Sequence, residues 1–371
     1  MFSKLSTFSK LTFLVLALLT FNTSCKKDDD SPKPQASNLR PSIDYASLGE
    51  KTPYTALFVD ANGDSTVNRN EGRALLQAFK VFNDYMGKSK SEEIDSAQIS
   101  NLFKAIKSQS AASLDAGSQN NVHNLLEKYF GEMARISKFR GDVASDGTSG
   151  LLGTRLVDGN GIEWIQVIQK ALIGGFQLDY IGNVLLGEGL KADNSTLVSG
   201  KNYTALEHNW DAAYGLLTVN DIYMHDATDA KASDGESYLG KYIWEYNKAS
   251  YKKIHTAFLK GRAAIVNNDV AEIANQANFI RTEMEKAIAG AAVGYMNKTS
   301  DGLADPTSGN GAHAFGEGLG FVYSLRFCKM HGADITYSDG VYNTLFKKGF
   351  WDLVPADLVT AKNAINAKFG L

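Results

Sequence analysis

Two stretches decide how this chain of 371 residues is read: Glu207–Leu217, EHNWDAAYGLL, and Ala312–Val322, AHAFGEGLGFV. Laid together without a gap, they match His208 with His313, Trp210 with Phe315, Gly215 with Gly320 and Leu217 with Val322. Residues three or four apart sit one above the other on an α-helix. Each copy therefore sets a histidine and a carboxylate on one helical face, His208 with Asp211 and His313 with Glu317.

Working outward, the helical period recurs through most of the chain. Leu75, Phe79, Phe82 and Met86 fall at helical spacing before Gly87, and Ile99–Ile106 reads as a shorter helix. Ser118–Phe139 is a third, with Val122, Leu125, Tyr129, Met133 and Ile136 on one face and a solvated His123 near its start. Ile162–Leu186 is apolar nearly all round, which predicts a buried helix. Tyr238–Val266 and Val270–Met296 are long helices, the second capped by Asn267-Asn268-Asp269. His313 opens another that runs to about His331, and Pro355 starts a last one with Leu358, Ala361, Ile365 and Phe369 inside. Thr52–Val59 reads as a short extended segment, and Gly141–Gly161 as a long glycine-rich loop. No run alternates long enough for a sheet, so the expected fold class is all-α.

A second echo accompanies the first. Lys170-Ala171-Leu172-Ile173-Gly174-Gly175 matches Lys286-Ala287-Ile288-Ala289-Gly290-Ala291, and each precedes a histidine motif. Ordered matches of this kind predict a duplicated helical unit. The expected organisation is two helical bundles, 51–235 and 236–371, joined at the polar break Asp229–Glu236.

The N-terminus reads differently. Lys4 and Lys10 precede the apolar run Leu11–Phe21, which is too short to span a bilayer, so residues 1–24 read as a signal peptide. Asn22-Thr23-Ser24-Cys25 resembles the lipobox of bacterial lipoproteins, with Cys25 as the lipidated residue. The run Lys26-Lys27-Asp28-Asp29-Asp30 resembles an export signal to the outer face of the outer membrane, and reads equally as part of a solvated tether. Residues 25–50 are thus expected to form a disordered lipidated linker that anchors the body to a membrane. The other cysteine, Cys328, sits in an apolar stretch and is expected to be a small buried hydrophobe.

Composition excludes some classes. A net charge of -3 without a basic stripe argues against nucleic acid as a partner. Gly147, Gly150 and Gly153 lack the Gly-Lys-Ser/Thr and the strand-to-helix context of a phosphate cradle. Asp60–Glu71 places oxygen-bearing residues at positions 1, 3, 5, 9 and 12 of a calcium loop, but Ser65 stands where the sharp turn needs glycine. Calcium binding and a plain polar loop are both consistent with it.

Two readings of the histidine motifs compete. If the copies face each other, His208, Asp211, His313 and Glu317 could converge, with Glu207 as a fifth ligand, on iron or zinc. Alternatively each histidine and acid form a buried hydrogen-bonded pair, the acid fixing the tautomer. Neither the Glu-x-x-His of di-iron bundles nor the His-Glu-x-x-His of zinc proteases is present, and no catalytic residue is singled out.

Gly311-Ala312-His313-Ala314-Phe315-Gly316-Glu317 resembles the Gly-x-His-x-x-Glu signature of imelysin-like proteins, with the glutamate one residue late. Together with Glu207–Gly215, Gly161–Gln166 (GIEWIQ) and Gly261–Asp269 (GRAAIVNND), it is similar to an imelysin-related family of bacterial surface lipoproteins, in which Ala212 is often Glu. The resemblance implies an all-helical duplicated fold, outer-membrane anchoring and an association with iron uptake beside an outer-membrane receptor or transporter. The expected function is a non-enzymatic binding lipoprotein for iron or an iron-bearing ligand. A metal-dependent peptidase and an adhesion or scaffold lipoprotein are the alternatives.

Overall fold

The computed structural model describes residues 39–109, 122–218 and 238–371. The signal peptide, Cys25, the charged run after it, the side chain of His123 and the Asp229–Glu236 junction lie outside the described residues.

The fold is all-α. Its helices are α1 Tyr54–Leu57, α2 Asn70–Gly87, α3 Ser96–Gln109, α4 Val122–Ile136, α5 Trp164–Leu172, α6 Ala205–Leu217, α7 Leu239–Tyr246, α8 Lys248–Asn267, α9 Val270–Gly302, α10 Asn310–Ser324, α11 Ile335–Phe346 and α12 Pro355–Phe369. The buried residues of α2 include Leu75, Phe79, Phe82 and Met86, and those of α12 are Leu358, Ala361, Ile365 and Phe369, which are the faces the periodicity predicts. Asp269 caps α9 by accepting from the Glu272 amide.

Several elements differ from expectation for local reasons. The glycine-rich loop contains a hairpin of β1 Gly150–Leu152 and β2 Arg155–Val157, each strand too short to show alternation. The segment 52–59 holds the single turn of α1 instead of extended chain. The helix expected over 238–266 breaks at Asn247, whose side chain leaves the helix to donate to the backbone and carboxylate of Glu283. The helix from His313 gives way to 3-10 turns after Ser324. Helix α11 was not expected, because Gly340, Thr336 and Asn343 weaken its periodic signal; Asp334 starts it by accepting from the Tyr337 amide.

Beyond Leu172, α5 widens into π-helical turns over Ile173–Leu178 and Tyr180–Leu185. Such turns leave backbone groups and side chains in unusual places. Gln177 uses this to donate to Leu216 O at 2.7 Å, at the end of α6, and to accept from Leu239 N at 3.1 Å, at the start of α7. One buried amide thus satisfies two helix ends.

The described residues pack as one compact unit. Helix α10 packs chiefly on α9 and α5, so helices from both sides of the expected junction share one core. The expected linker is also shorter at its C-terminal end: the Ile43 amide and carbonyl bond the Asn267 side chain, Tyr45 donates to Asp269, and Leu48 is buried. Among the described residues no helix is long and apolar enough to cross a membrane.

Candidate functional site

The two histidine helices are held in the same way. Gly215 of α6 lies against Arg69 at the head of α2, where an added Cβ would stand 2.7 Å from Arg69 Cβ. Gly320 of α10 lies against α5, where an added Cβ would stand 2.6 Å from Lys170 Cβ and 2.7 Å from Val167 O. Absence of a side chain lets each pair of backbones approach. The first turn of each histidine helix is thereby set beside an acid at the head of a neighbour. Glu71 lies in the first turn of α2 and Glu163 stands at the N-cap position of α5.

His313 Nδ1 lies 2.6 Å from Glu163 Oε2, and His313 Nε2 lies 3.6 Å from Glu317 Oε2. Glu163 is fully buried, Glu317 is largely buried, and the imidazole is about a quarter exposed at 24%. The site therefore reaches solvent at the imidazole. Lys170, itself buried, contacts Glu317 Oε1 at 3.0 Å, and Lys90 stands 3.5 Å from Glu163 Oε1. Burial alone would lower the Lys170 pKa, but the Tyr242 oxygen and the Glu317 carboxylate turn the shift upward, so the ammonium is retained.

The first copy is built otherwise. His208 Nε2 lies 3.1 Å from Glu71 Oε2, Tyr180 donates to Glu71 Oε1 at 2.8 Å, and the Tyr203 ring stacks on the imidazole. The His208 and Tyr180 hydrogen bonds lower the Glu71 pKa against the opposing effect of burial. Asp211 turns away from His208 into the core. It accepts from Tyr54 OH at 2.7 Å, Arg262 Nε at 3.0 Å and Asn68 N at 3.3 Å. Glu207 accepts from Arg262 Nη1 at 2.7 Å, from Arg40 Nη1 and from the Thr204 amide at 2.8 Å, completing a capping box. Arg262 is wholly buried over the Phe58 ring and also reaches Thr66 Oγ1 at 3.1 Å.

The five expected ligands thus divide between separate clusters. His313 and Glu317 stay together; His208 pairs with Glu71; Asp211 and Glu207 are consumed by arginines. The expected convergence on one cage is corrected accordingly, and no group of three or more His, Cys, Asp and Glu among the described residues could hold a metal ion. The reason lies in helix geometry. Asp211, three residues after His208, faces the buried side of α6, whereas Glu317, four residues after His313, stays beneath the imidazole.

Sequence reasoning missed Glu71, Glu163, Lys170 and Arg262 as members of these clusters. The available signal was an acid in the first turn or at the cap of a helix, before a glycine-containing histidine helix. The Lys170 and Lys286 echo does not reflect equivalent places: Lys170 is buried on Glu317, while Lys286 is partly exposed on Glu283. By sequence, Glu71 closes the calcium-loop pattern that Asp60 opens. Asp60, at the other end, caps its own turn through Asn62 N and Asp64 N and accepts from Asn202, so the two carboxylates serve different structures. Cys328 is buried and free, and burial raises its thiol pKa strongly, as a small core residue requires.

Fold and site together define an all-helical protein in which two glycine-mediated helix pairs each join a histidine to an acid at a neighbouring helix head. The chain belongs to the family described as "Domain of unknown function (DUF4856)", which matches residues 42–371. No curated protein and no solved structure matches it.

Proposed function

We propose that this is an imelysin-like, membrane-anchored binding lipoprotein of the outer membrane that takes an iron-bearing ligand at His313, beside a receptor or transporter, without catalysis. The observation that carries the reading is the orientation of His313. Glu163 engages Nδ1, which holds the other nitrogen toward Glu317 Oε2. A carboxylate on the far nitrogen of an imidazole fixes its tautomer and raises its basicity toward a metal. Bonds of about 2.1 Å to adjacent positions of a six-coordinate ferric ion would place their donors about 3.0 Å apart. Nε2 and Oε2 stand 3.6 Å apart, a gap that a small rotation of the Glu317 carboxylate closes.

Two donors suit a chelate better than a bare ion. Glu163 and Glu317 are already balanced by Lys90 and Lys170, so an added dication would leave uncompensated positive charge. A ferric chelate with anionic arms brings its own compensation, leaves most coordination positions to itself, and needs only an imidazole and one carboxylate oxygen. Glu163 orients, Glu317 and His313 bind, and Lys170 holds Glu317 in place.

Equilibrium dialysis against ferric citrate, with zinc chloride and iron-free citrate as controls, tests this. Ferric citrate should bind about one per chain, and His313→Ala should weaken it at least tenfold with little change in melting temperature. His208→Ala should leave binding intact. If neither metal form binds and His313→Ala only lowers stability, both histidines are structural hydrogen-bonded pairs and the proposal fails.

A further inference from the structure

Helix α8, Lys248–Asn267, carries no acid in its 20 residues. Wound at 3.6 residues per turn, its Lys248, Lys252, Lys253 and Lys260 fall within about 140° of the helix circumference. The outer face of α8 is therefore cationic, although the chain as a whole carries a net charge of -3. Lys248, Lys252 and Lys253 are exposed, and Lys260 is half-buried.

Little of this charge is neutralised. Lys253 and Lys260 make no ion pair or hydrogen bond among the described residues. Lys252 stands 3.9 Å from Glu50, and both side chains are about half exposed, so the pair contributes little. Lys248 lies over the Trp244 ring at 4.6 Å, which leaves its charge in place. On α9, Glu272 is engaged by Gln276 and Asn275. Between α8 and α9 the face holds a hollow of about 440 Å3, lined by Lys253 and Lys260 two turns apart, by Glu50 and by the part-exposed Phe279. Unpaired cations beside an apolar ring suit a phosphate whose ester carbons continue into apolar chains.

The entering polypeptide runs along the same helix. Ile43 bonds Asn267 at the end of α8, Glu50 stands at Lys252, and Thr52 O lies 2.9 Å from His255 Nε2. Residues 43–52 thus run antiparallel to α8. Cys25 precedes Ile43 by 18 positions (43 minus 25), which span at most about 65 Å. An anchor at Cys25 would keep this face within that distance of a bilayer.

We propose that the outer face of α8 docks the body on an anionic lipid surface, with lipid phosphates at Lys253 and Lys260. Each lysine brought close to such a surface strengthens binding about fivefold, and salt screens the effect. The face uses no residue of the His313 site and needs no acyl chain on Cys25, so it stands or fails apart from the iron-ligand reading.

Vesicle co-sedimentation tests this, with the full chain carrying Cys25→Ala so that no acyl anchor contributes. At about 0.1 M salt, vesicles of phosphatidylcholine with about 30% phosphatidylglycerol should bind at least tenfold more tightly than phosphatidylcholine alone, and the preference should collapse at about 0.5 M. Lys252→Glu, Lys253→Glu and Lys260→Glu together should reduce the preference at least tenfold. Lys104→Glu, Lys138→Glu and Lys347→Glu together make the same change of net charge elsewhere and should keep most of it; the lysines near the N-terminus are common to both. Melting curves of the two triple variants should overlay the parent chain. If the α8 variant melts early, Lys253→Gln with Lys260→Gln replaces it, with a severalfold loss expected. Equal losses in the two triple variants, no preference for anionic vesicles, or a preference that survives 0.5 M salt would overturn the proposal. Tighter binding to soluble polyglutamate than to anionic vesicles would also overturn it and assign the face to an acidic protein.

Discussion

Replacing Arg262 with methionine removes the one cation that pairs with Asp211 among the described residues. The guanidinium is fully buried and donates to Asp211 at 3.0 Å, Glu207 at 2.7 Å and Thr66 at 3.1 Å. Glu207 would keep Arg40 and the Thr204 amide, so its charge stays compensated. Asp211 would keep only Tyr54 OH and the Asn68 amide. Breaking a buried ion pair from one side costs about 3–5 kcal/mol. With a single carboxylate stranded, the lower end applies, about 3 kcal/mol. For a urea slope of about 3 kcal/mol/M, the midpoint should fall by about 1 M. The loss has a pH signature. Burial raises the Asp211 pKa, opposed in the native protein mainly by Arg262. Without that opposition the folded-state pKa rises further above the unfolded value of about 3.9. An acid shifted upward on folding is penalised above its folded pKa, and the penalty fades as pH falls toward the unfolded value. The deficit of Arg262→Met should therefore be largest at pH 7.5 and shrink steadily at pH 5.5 and 4.5. A deficit below about 1 kcal/mol, or one that is constant with pH, would refute the reasoning that Arg262 compensates a buried ionised Asp211.

Three further outcomes follow from the same geometry. Arg40→Ala removes the second cation on Glu207 and the bond to Asn202 O at 2.6 Å, so it should cost about 1–3 kcal/mol and speed proteolysis ahead of Ile43, measured by urea titration and limited digestion. Glu71→Gln should cost about 0.5–1 kcal/mol at pH 7, since the pair with His208 is part-exposed. Because the folded Glu71 pKa is depressed, its contribution is present above about pH 4.3 and lost as pH falls through the folded value, so the variant and wild type should converge in acid denaturation curves. Gly320→Ala pushes a methyl onto Val167 O and Lys170 Cβ, and should cost about 1–3 kcal/mol in melting or urea experiments.

Much of the fold could be read because apolar spacing survives without tertiary information. The inner faces of α2 and α12, the cap at Asp269 and the burial of Cys328 follow directly from residue order. What could not be read depends on contacts between distant segments. The break at Asn247 is decided by Glu283, and the π-helical turns after Leu172 are tied to α6 and α7 through Gln177. The candidate site shows the same division. His313 and Glu317 are visible as a helical pair, but Glu163 lies 150 residues earlier and enters only because Gly316 lets α10 approach the head of α5. Spacing gave Asp211 and Glu317 equal standing as partners of a histidine. A difference of one helical position, and an arginine 51 residues away, separates an acid that stays beneath its histidine from one that is turned into the core.

In the proposed site His313 contributes an imidazole to an iron-bearing ligand. Iron K-edge absorption spectroscopy of the protein loaded with ferric citrate addresses this atom most directly. Outer-shell imidazole scattering from one histidine should be seen, retained in His208→Ala and lost in His313→Ala. A spectrum identical to free ferric citrate, or imidazole scattering that persists in His313→Ala, would contradict it.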